Sequence, residues 1–198
     1  PPGVCAATIA NSRVQVATPA AKRCGVRRGM SRAMALHCCP DLNIFPLDLD
    51  RESAAFESVL QVFDDLAAGV VVVRPGLAFA PARGPAKWVG SEEQLAAELV
   101  EQVALQTGAE SQVGIANSLP AAFLAAKQGR IIPEEETAGF LAAQPLGDLI
   151  AELPGWQKPL VTQALPVLAA LGIHAGSQLL ALGAAAVQTR FGLAGQIL

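Results

Sequence analysis

The sequence predicts an α+β fold: a ferredoxin-like sheet lacking its first strand, followed by an all-helical segment. Three observations lead there. Short β-type runs alternate with amphipathic helical stretches as far as Arg130-Ile131-Ile132. From Leu146 onward every run is helical and short, with breaks at Leu153-Pro154-Gly155-Trp156, Leu171-Gly172-Ile173 and Phe191-Gly192. Finally, 52% of the residues are hydrophobic and only 16% charged, which excludes a disordered chain.

The elements follow in order. Gly3–Val16 contains short β-like runs, clearest at Val14-Gln15-Val16. Thr18 is an N-cap and Pro19 a first-turn residue for a helix through Arg23, which Gly25 ends. Ser31 caps a second helix, Arg32–Cys38, stopped at Pro40. Ile44-Phe45 is a short strand, and Phe56, Val59, Leu60 and Phe63 mark the apolar stripe of a helix from about Arg51 to Leu66.

Val70–Val73 and Leu77–Ala80 are β runs broken by Pro75-Gly76. Ser91 caps a helix to about Gln106, whose opening carboxylates Glu92 and Glu93 suit the positive end of the helix dipole. Gln112–Ala116 is predicted as a strand, Pro120–Ala126 as a helix, Arg130–Ile132 as a strand, and Glu134-Glu135-Glu136 as the start of another helix. The glycine-hinged short helices beyond resemble helix-hairpin-helix modules, whose hairpin amides can hold a DNA phosphate. On pattern alone, a structural helical bundle fits as well.

Net charge is −3, so no broad positive field covers the chain. The cations are concentrated, however: Arg13, Lys22, Arg23, Arg27, Arg28 and Arg32 all precede the first acid, Asp41. The four cysteines (Cys5, Cys24, Cys38, Cys39) form no disulfide framework and, with no secretory signal, suggest a reducing cytoplasm. Their spacing, even with His37, does not repeat that of structural zinc sites, so buried or inert thiols are expected and no metal. No charged residue falls between Pro159 and Thr189, but Gln163, Pro166, His174 and Gln178 interrupt that stretch, favouring packed helices over a membrane span. A start on Pro1-Pro2-Gly3 and an abrupt end at Leu198 suggest a chain cut at both ends. No phosphate-cradling "G-x-x-x-x-G-K" loop and no "G-x-S-x-G" nucleophile turn is present.

Several motifs, in one order, resemble those of the Y-family (translesion) DNA polymerases. Ala21–Met30 (Ala-Lys-Arg-Cys-Gly-Val-Arg-Arg-Gly-Met) looks like the fingers stretch "AR-x-x-GV-x-x-GM". Ala33–Leu42, ending Cys39-Pro40-Asp41-Leu42, looks like "A-x-A-x-x-x-CPDL". Val113-Gly114-Ile115-Ala116 resembles the palm "VGIA", and Leu171-Gly172-Ile173 and Phe191–Gly195 the thumb's "LGI" and "FG-x-x-G". The resemblance implies a basic fingers-like lobe over residues 1–46, a palm-like domain over 47–144 and a thumb-like helical domain over 145–198, with the little finger and C-terminal tail absent.

It also implies where the chemistry should be. Phosphoryl transfer in this family needs clustered carboxylates holding two Mg²⁺ ions about 4 Å apart. Two of them belong to a "S-x-DE-A-aromatic-L-D" segment whose Ala and aromatic residue match Ala78 and Phe79. The Asp-Glu pair then falls on Gly76 and Leu77, neither of which binds a metal. The third carboxylate would precede residue 1. The family's triphosphate-binding Tyr and Arg correspond to Pro19 and Lys22, and its palm-helix Lys to Phe123.

This pattern is similar to the ImuB group, which keeps the polymerase scaffold without the active-site acids. The expectation is a non-catalytic adaptor in damage-induced mutagenesis, with no cofactor. Its partners would be primer–template DNA, weakly, and through other regions the sliding clamp and an error-prone C-family polymerase. Candidate DNA contacts are Arg23, Arg27, Arg28, Arg32, Gly155, Lys158, Gly172 and Arg190. The alternatives are an active, Mg²⁺-dependent DNA-directed DNA polymerase, or a structural or membrane-associated helical protein.

Overall fold

The computed structural model describes residues 3–151 and 156–197. Two compact units divide the chain, Pro1–Phe56 and Glu57–Leu198.

The first unit is built on a three-stranded sheet of order β2-β1-β3, from β1 (Ala6–Ala10), β2 (Arg13–Ala17) and β3 (Asn43–Pro46). β1 pairs antiparallel with β2 and parallel with β3. Asn11 and Ser12 join β1 to β2 with φ of 50° and 60°, the two-residue turn whose twist suits a hairpin and which asparagine tolerates well. β1 itself has little β-propensity (Ala-Ala-Thr-Ile-Ala) and is less evident in the sequence than β2; pairing on both sides makes it a strand.

Helices α1 (Pro19–Arg23) and α2 (Arg32–Cys38) start where the sequence places them. Thr18 Oγ1 accepts from Ala21 N–H at 3.3 Å and Ser31 Oγ from Met34 N–H at 3.2 Å, each satisfying an otherwise orphan donor. The Thr18 hydroxyl also accepts from Ala6 N–H and donates to the Val4 carbonyl, tying the cap to the start of β1. Val14, Ala21, Val26 and Ala35 are fully buried in the small core of this unit, with Ala7, Ala17, Cys39 and Leu42 around them.

The second unit is mostly helical. α3 (Leu49–Leu66), within which the division between the units falls, ends in it. The hairpin of β4 (Val71–Arg74) and β5 (Leu77–Phe79) follows, then α4 (Arg83–Val89), α5 (Glu92–Thr107) and α6 (Leu119–Gln128). The sequence analysis assigns no helix over α4; Pro85 is tolerated there because proline in the first turn removes a donor that has no intrahelical partner anyway. Ser91 caps α5, its Oγ accepting from Gln94 N–H at 3.2 Å.

Two predicted strands are corrected. Residues 112–116 and 130–132 are not strands; they meet through one parallel bridge, Ile115 to Ile131, made by Ile115 N–H to the Arg130 carbonyl and Ile132 N–H to the Ile115 carbonyl. The apolar run reads as β because Ile115 and Ile132 are buried, but the ladder extends no further. Among the described residues of this unit, regular strand is confined to the two-stranded β4–β5 ladder, not a continuous ferredoxin-like sheet. Gly114 explains the packing here. A Cβ at this position would fall 2.0 Å from Ala126 N and 2.3 Å from the Ala125 carbonyl carbon, so only glycine lets this segment lie on α6.

The three glutamates 134–136 form a 3₁₀ turn instead of the first α-turn, and α7 (Thr137–Ala143) continues from it. Short helices complete the chain: α8 (Leu146–Ala151), α9 (Lys158–Thr162), α10 (Leu165–Ala170), α11 (Gly176–Leu182), α12 (Ala184–Phe191) and α13 (Leu193–Ile197). Leu146, Leu168, Ile173, Leu179 and Val187 converge in their core. Among the described residues, no helix is long and apolar enough to cross a membrane.

Candidate functional site

Gly76 and Leu77 lie at the tip and exit of the β4–β5 hairpin, where Arg74 pairs with Leu77. Gly76 has φ of 80°, the left-handed region open to glycine at no steric cost. Tight reversal at Pro75-Gly76 is therefore what the local sequence encodes. Leu77 is half-buried, and the Arg74 guanidinium turns back to the Pro75 carbonyl at 3.2 Å. Nothing at this tip carries a negative charge. Asp64 and Asp65, the nearest acids before it in sequence, are exposed on the last turns of α3. Among the described residues, the one set of three or more His, Cys, Asp or Glu ligand atoms gathered closely enough to share an ion is the thiols of Cys5, Cys24 and Cys39. The hairpin residues do not fit a pair of Mg²⁺ ions, which demand oxygen ligands in near-octahedral geometry.

Phe123 is half-buried on α6, where it packs against the cluster of Leu124, Ile132 and Phe140. Lys127, one turn on, sits 5.7 Å above its ring centroid and pairs with Asp148 at 3.2 Å. The cation beside Phe123 is thus already engaged.

In the first unit, Pro19 and Lys22 are exposed on α1. The six cations are all exposed, but they divide by role. Arg13 donates to the Gly29 carbonyl at 2.8 Å, and Arg27 to the carbonyls of Lys22 and Val26, so both brace the loop 24–30. Among the described residues, the side chains of Lys22, Arg23, Arg28 and Arg32 have no hydrogen-bond or ion-pair partner. They can reach an external anion without breaking anything.

In the second unit Lys158 is half-buried at the start of α9, and Arg190 is exposed in the last turn of α12, where its charge suits the negative helix end. Gly155 lies outside the described residues. Gly172 occupies the turn between α10 and α11 with φ of 77°. Its surroundings are informative. The N–H groups of Leu171, Gly172 and Ile173 donate to Val167, Ala169 and Leu168 carbonyls, and that of Gly176 donates to Gln144. The N–H groups of His174 and Ala175 donate to Gln178 Oε1, at 2.7 and 3.0 Å. Every amide from 171 to 176 is therefore used inside the protein, and a phosphate at this turn would have to displace the Gln178 side chain.

What the sequence missed is the thiol corner. Cys5 and Cys24 Sγ lie 3.9 Å apart, and all three sulfurs lie within 4.8 Å of one another. Burial pushes the Cys39 thiol up to about 12, and hydrogen bonding with Cys5 and Cys24 adds to this. Along the chain these residues stand far apart, and no periodicity relates them. Cys24, expected to be buried or inert, is exposed.

Comparison with known proteins agrees with this architecture. DNA polymerase IV of Cronobacter sakazakii is 28% identical over 193 residues, covering 93% of this chain and 52% of the relative. The chain thus spans about half the length of that polymerase. Among solved structures, DinB from Sulfolobus solfataricus superposes with a TM-score of 0.74 at 16% identity, covering 98% of this chain and 57% of that one. The insertion ternary complex of Dbh DNA polymerase gives 0.74 at 18% identity, with 98% and 58% coverage. At these identities the superpositions establish the fold alone. With the impB/mucB/samB family also matching residues 1–127, the chain belongs to that family and has the fold of the Y-family DNA polymerases.

Proposed function

We propose that the chain is the fingers (1–46), palm (47–144) and thumb (145–198) of a Y-family relative that has lost catalysis and works as a DNA- and partner-binding adaptor. One observation carries the reading. The hairpin set against the family's acid pair has Gly76 and Leu77, residues without a metal-binding atom, in a turn whose backbone depends on the glycine. Phosphoryl transfer by two metal ions has no other source of charge compensation at that point. The proline at 19 and the half-buried ring at Phe123 point the same way, because neither can clamp a triphosphate.

The adaptor role follows from the resemblance to the ImuB group. Partners would be primer–template DNA, a sliding clamp and an error-prone C-family polymerase, in the cytoplasm. Lys22, Arg23, Arg28 and Arg32 supply the DNA contacts in the fingers, and Arg190 and Lys158 those in the thumb. Arg27 is assigned to bracing its loop, and the Gly172 turn to packing.

Primer extension by the purified protein with Mg²⁺ or Mn²⁺ is the test. No incorporation should occur with any nucleotide, while labelled primer–template binds and is released as salt rises. Incorporation would establish the second reading, an active polymerase. What favours that reading is the 28% identity to a DNA polymerase IV.

A further inference from the structure

Three thiols from three different elements converge at one corner of the first unit. Cys5 immediately precedes β1, and its carbonyl accepts from Asn43 N–H at 2.9 Å and Asn43 Nδ2 at 3.1 Å. Cys24 closes α1, donating its N–H to Ala20. Cys39 closes α2, donating its N–H to Ala35. Ordinary backbone hydrogen bonds therefore fix all three main-chain positions, leaving each side chain only its χ1 rotation.

The spacing is that of a ligand set. Sulfurs bound tetrahedrally to zinc at about 2.3 Å lie roughly 3.8 Å from each other. Cys5 and Cys24 are at 3.9 Å already, and the third sulfur is within 4.8 Å of both. Exposure is graded across the cluster: Cys39 is buried, Cys5 half-buried and Cys24 exposed. One side of the cluster is thus buried, and the other is open to solvent. The fourth cysteine is excluded from the cluster. Cys38 points toward Gly25, where its Cβ and Sγ would be 3.9 Å from an added Cβ.

We infer that Cys5, Cys24 and Cys39 form a three-thiolate site for a soft divalent cation, best matched by Zn²⁺, with water or an external ligand in the fourth position. Thiolate softness and tetrahedral spacing select zinc over the oxygen-seeking Mg²⁺ and Ca²⁺. Binding is an exchange of protons for metal: each thiol that ligates releases one proton to solvent, and no electron is transferred. The metal would join the start of β1 to the ends of α1 and α2. This inference is independent of whether the chain polymerises DNA.

The reduced full chain, titrated with Co²⁺ as a spectroscopic stand-in, should develop near-ultraviolet sulfur-to-metal charge-transfer absorption and the visible bands of a tetrahedral centre. These should saturate at one equivalent and be bleached by Zn²⁺. Cys24→Ser, at an exposed position the fold does not need, should weaken binding by at least about tenfold, since one of three anionic ligands is lost. Cys38→Ser should leave it unchanged. On the unaltered protein, Zn²⁺ should slow alkylation of Cys24 by at least about tenfold, as expected when the nucleophilic thiolate is held by a metal. Absent charge-transfer bands, a Co²⁺ affinity unchanged by Cys24→Ser, or a Cys24 alkylation rate indifferent to Zn²⁺ would each overturn the site. So would a Cys5–Cys24 disulfide, detected as a loss of two hydrogens, that persists under reducing conditions.

Discussion

The hairpin of β4–β5 and the cysteine corner of the first unit are opposites. At the hairpin, the resemblance to Y-family polymerases implies an acid pair, and on the proposed reading a glycine and a leucine stand in its place. At the corner, the family gives no such expectation, and three sulfurs meet within 4.8 Å. A scaffold fixes where backbone ends come together, but the side chains at those ends decide the chemistry. On the proposed reading, two residues in a turn outweigh the scaffold in deciding activity.

That contrast can be broken from either side. The largest effect is expected at Gly114, which supports the unit that carries the hairpin. Gly114→Val would drive a side chain into the α6 backbone near Ala126 and should destabilise the protein by about 3 kcal/mol or more, read as a lowered denaturant midpoint. Near-wild-type stability would mean that the segment does not lie on α6 as described.

Thr18→Ala comes next, beside the cysteine corner. It removes the cap of α1 together with the bonds to Ala6 and Val4, and should cost about 1–2 kcal/mol in thermal or chemical unfolding. Gly76→Asp should cost roughly 1–2 kcal/mol, because a side chain must then sit at φ of 80°. Combined with Leu77→Glu it returns an acid pair to the hairpin. The double variant should still fail to extend a primer; extension would show that the hairpin alone limits catalysis and would greatly narrow the contrast.

Lys127→Ala removes a surface ion pair with Asp148 and a distant ring contact, so a change of no more than about 0.5–1 kcal/mol is expected. Smallest at neutral pH, where it vanishes, is the titration of Cys39 in the metal-free protein. Its folded value of about 12 lies above the ordinary 9.0, so the folded state keeps a proton that the unfolded state loses first. Stability should be unaffected below pH 9 and fall as pH rises from about 9 toward 12, with Cys5 and Cys24 as the facing groups. A Cys39→Ala variant should lose that alkaline component in pH-dependent melting.

The residue types at the candidate site were legible in the sequence. The absence of acids at Gly76 and Leu77 is a fact of residue type, and so is the clustering of cations before Asp41. What those cations do was not legible. Arg13 and Arg27 turn inward to backbone carbonyls while Lys22, Arg23, Arg28 and Arg32 do not, and nothing in their spacing separates the two groups. The Gly172 turn reads as a phosphate site in the sequence, but Gln178 Oε1 takes the amides of His174 and Ala175 beside it.

By itself the sequence determined the helix starts at Thr18, Ser31 and Ser91, the turn at Pro75-Gly76 and the helical character of the second half. Each of these depends on hydrogen bonds or dihedral preferences spanning four residues or fewer, so neighbouring letters contain the whole cause. Only the tertiary structure decided that Ala6–Ala10 is a strand, that residues 112–116 are not, and that Cys5, Cys24 and Cys39 share a corner. These outcomes depend on which distant segments lie alongside, such as β3 beside β1 or Cys24 beside Cys5 across 19 residues. That adjacency is set by burying the common core of Val14, Ala21, Val26 and Ala35, a property of the folded whole and not of any window along the chain.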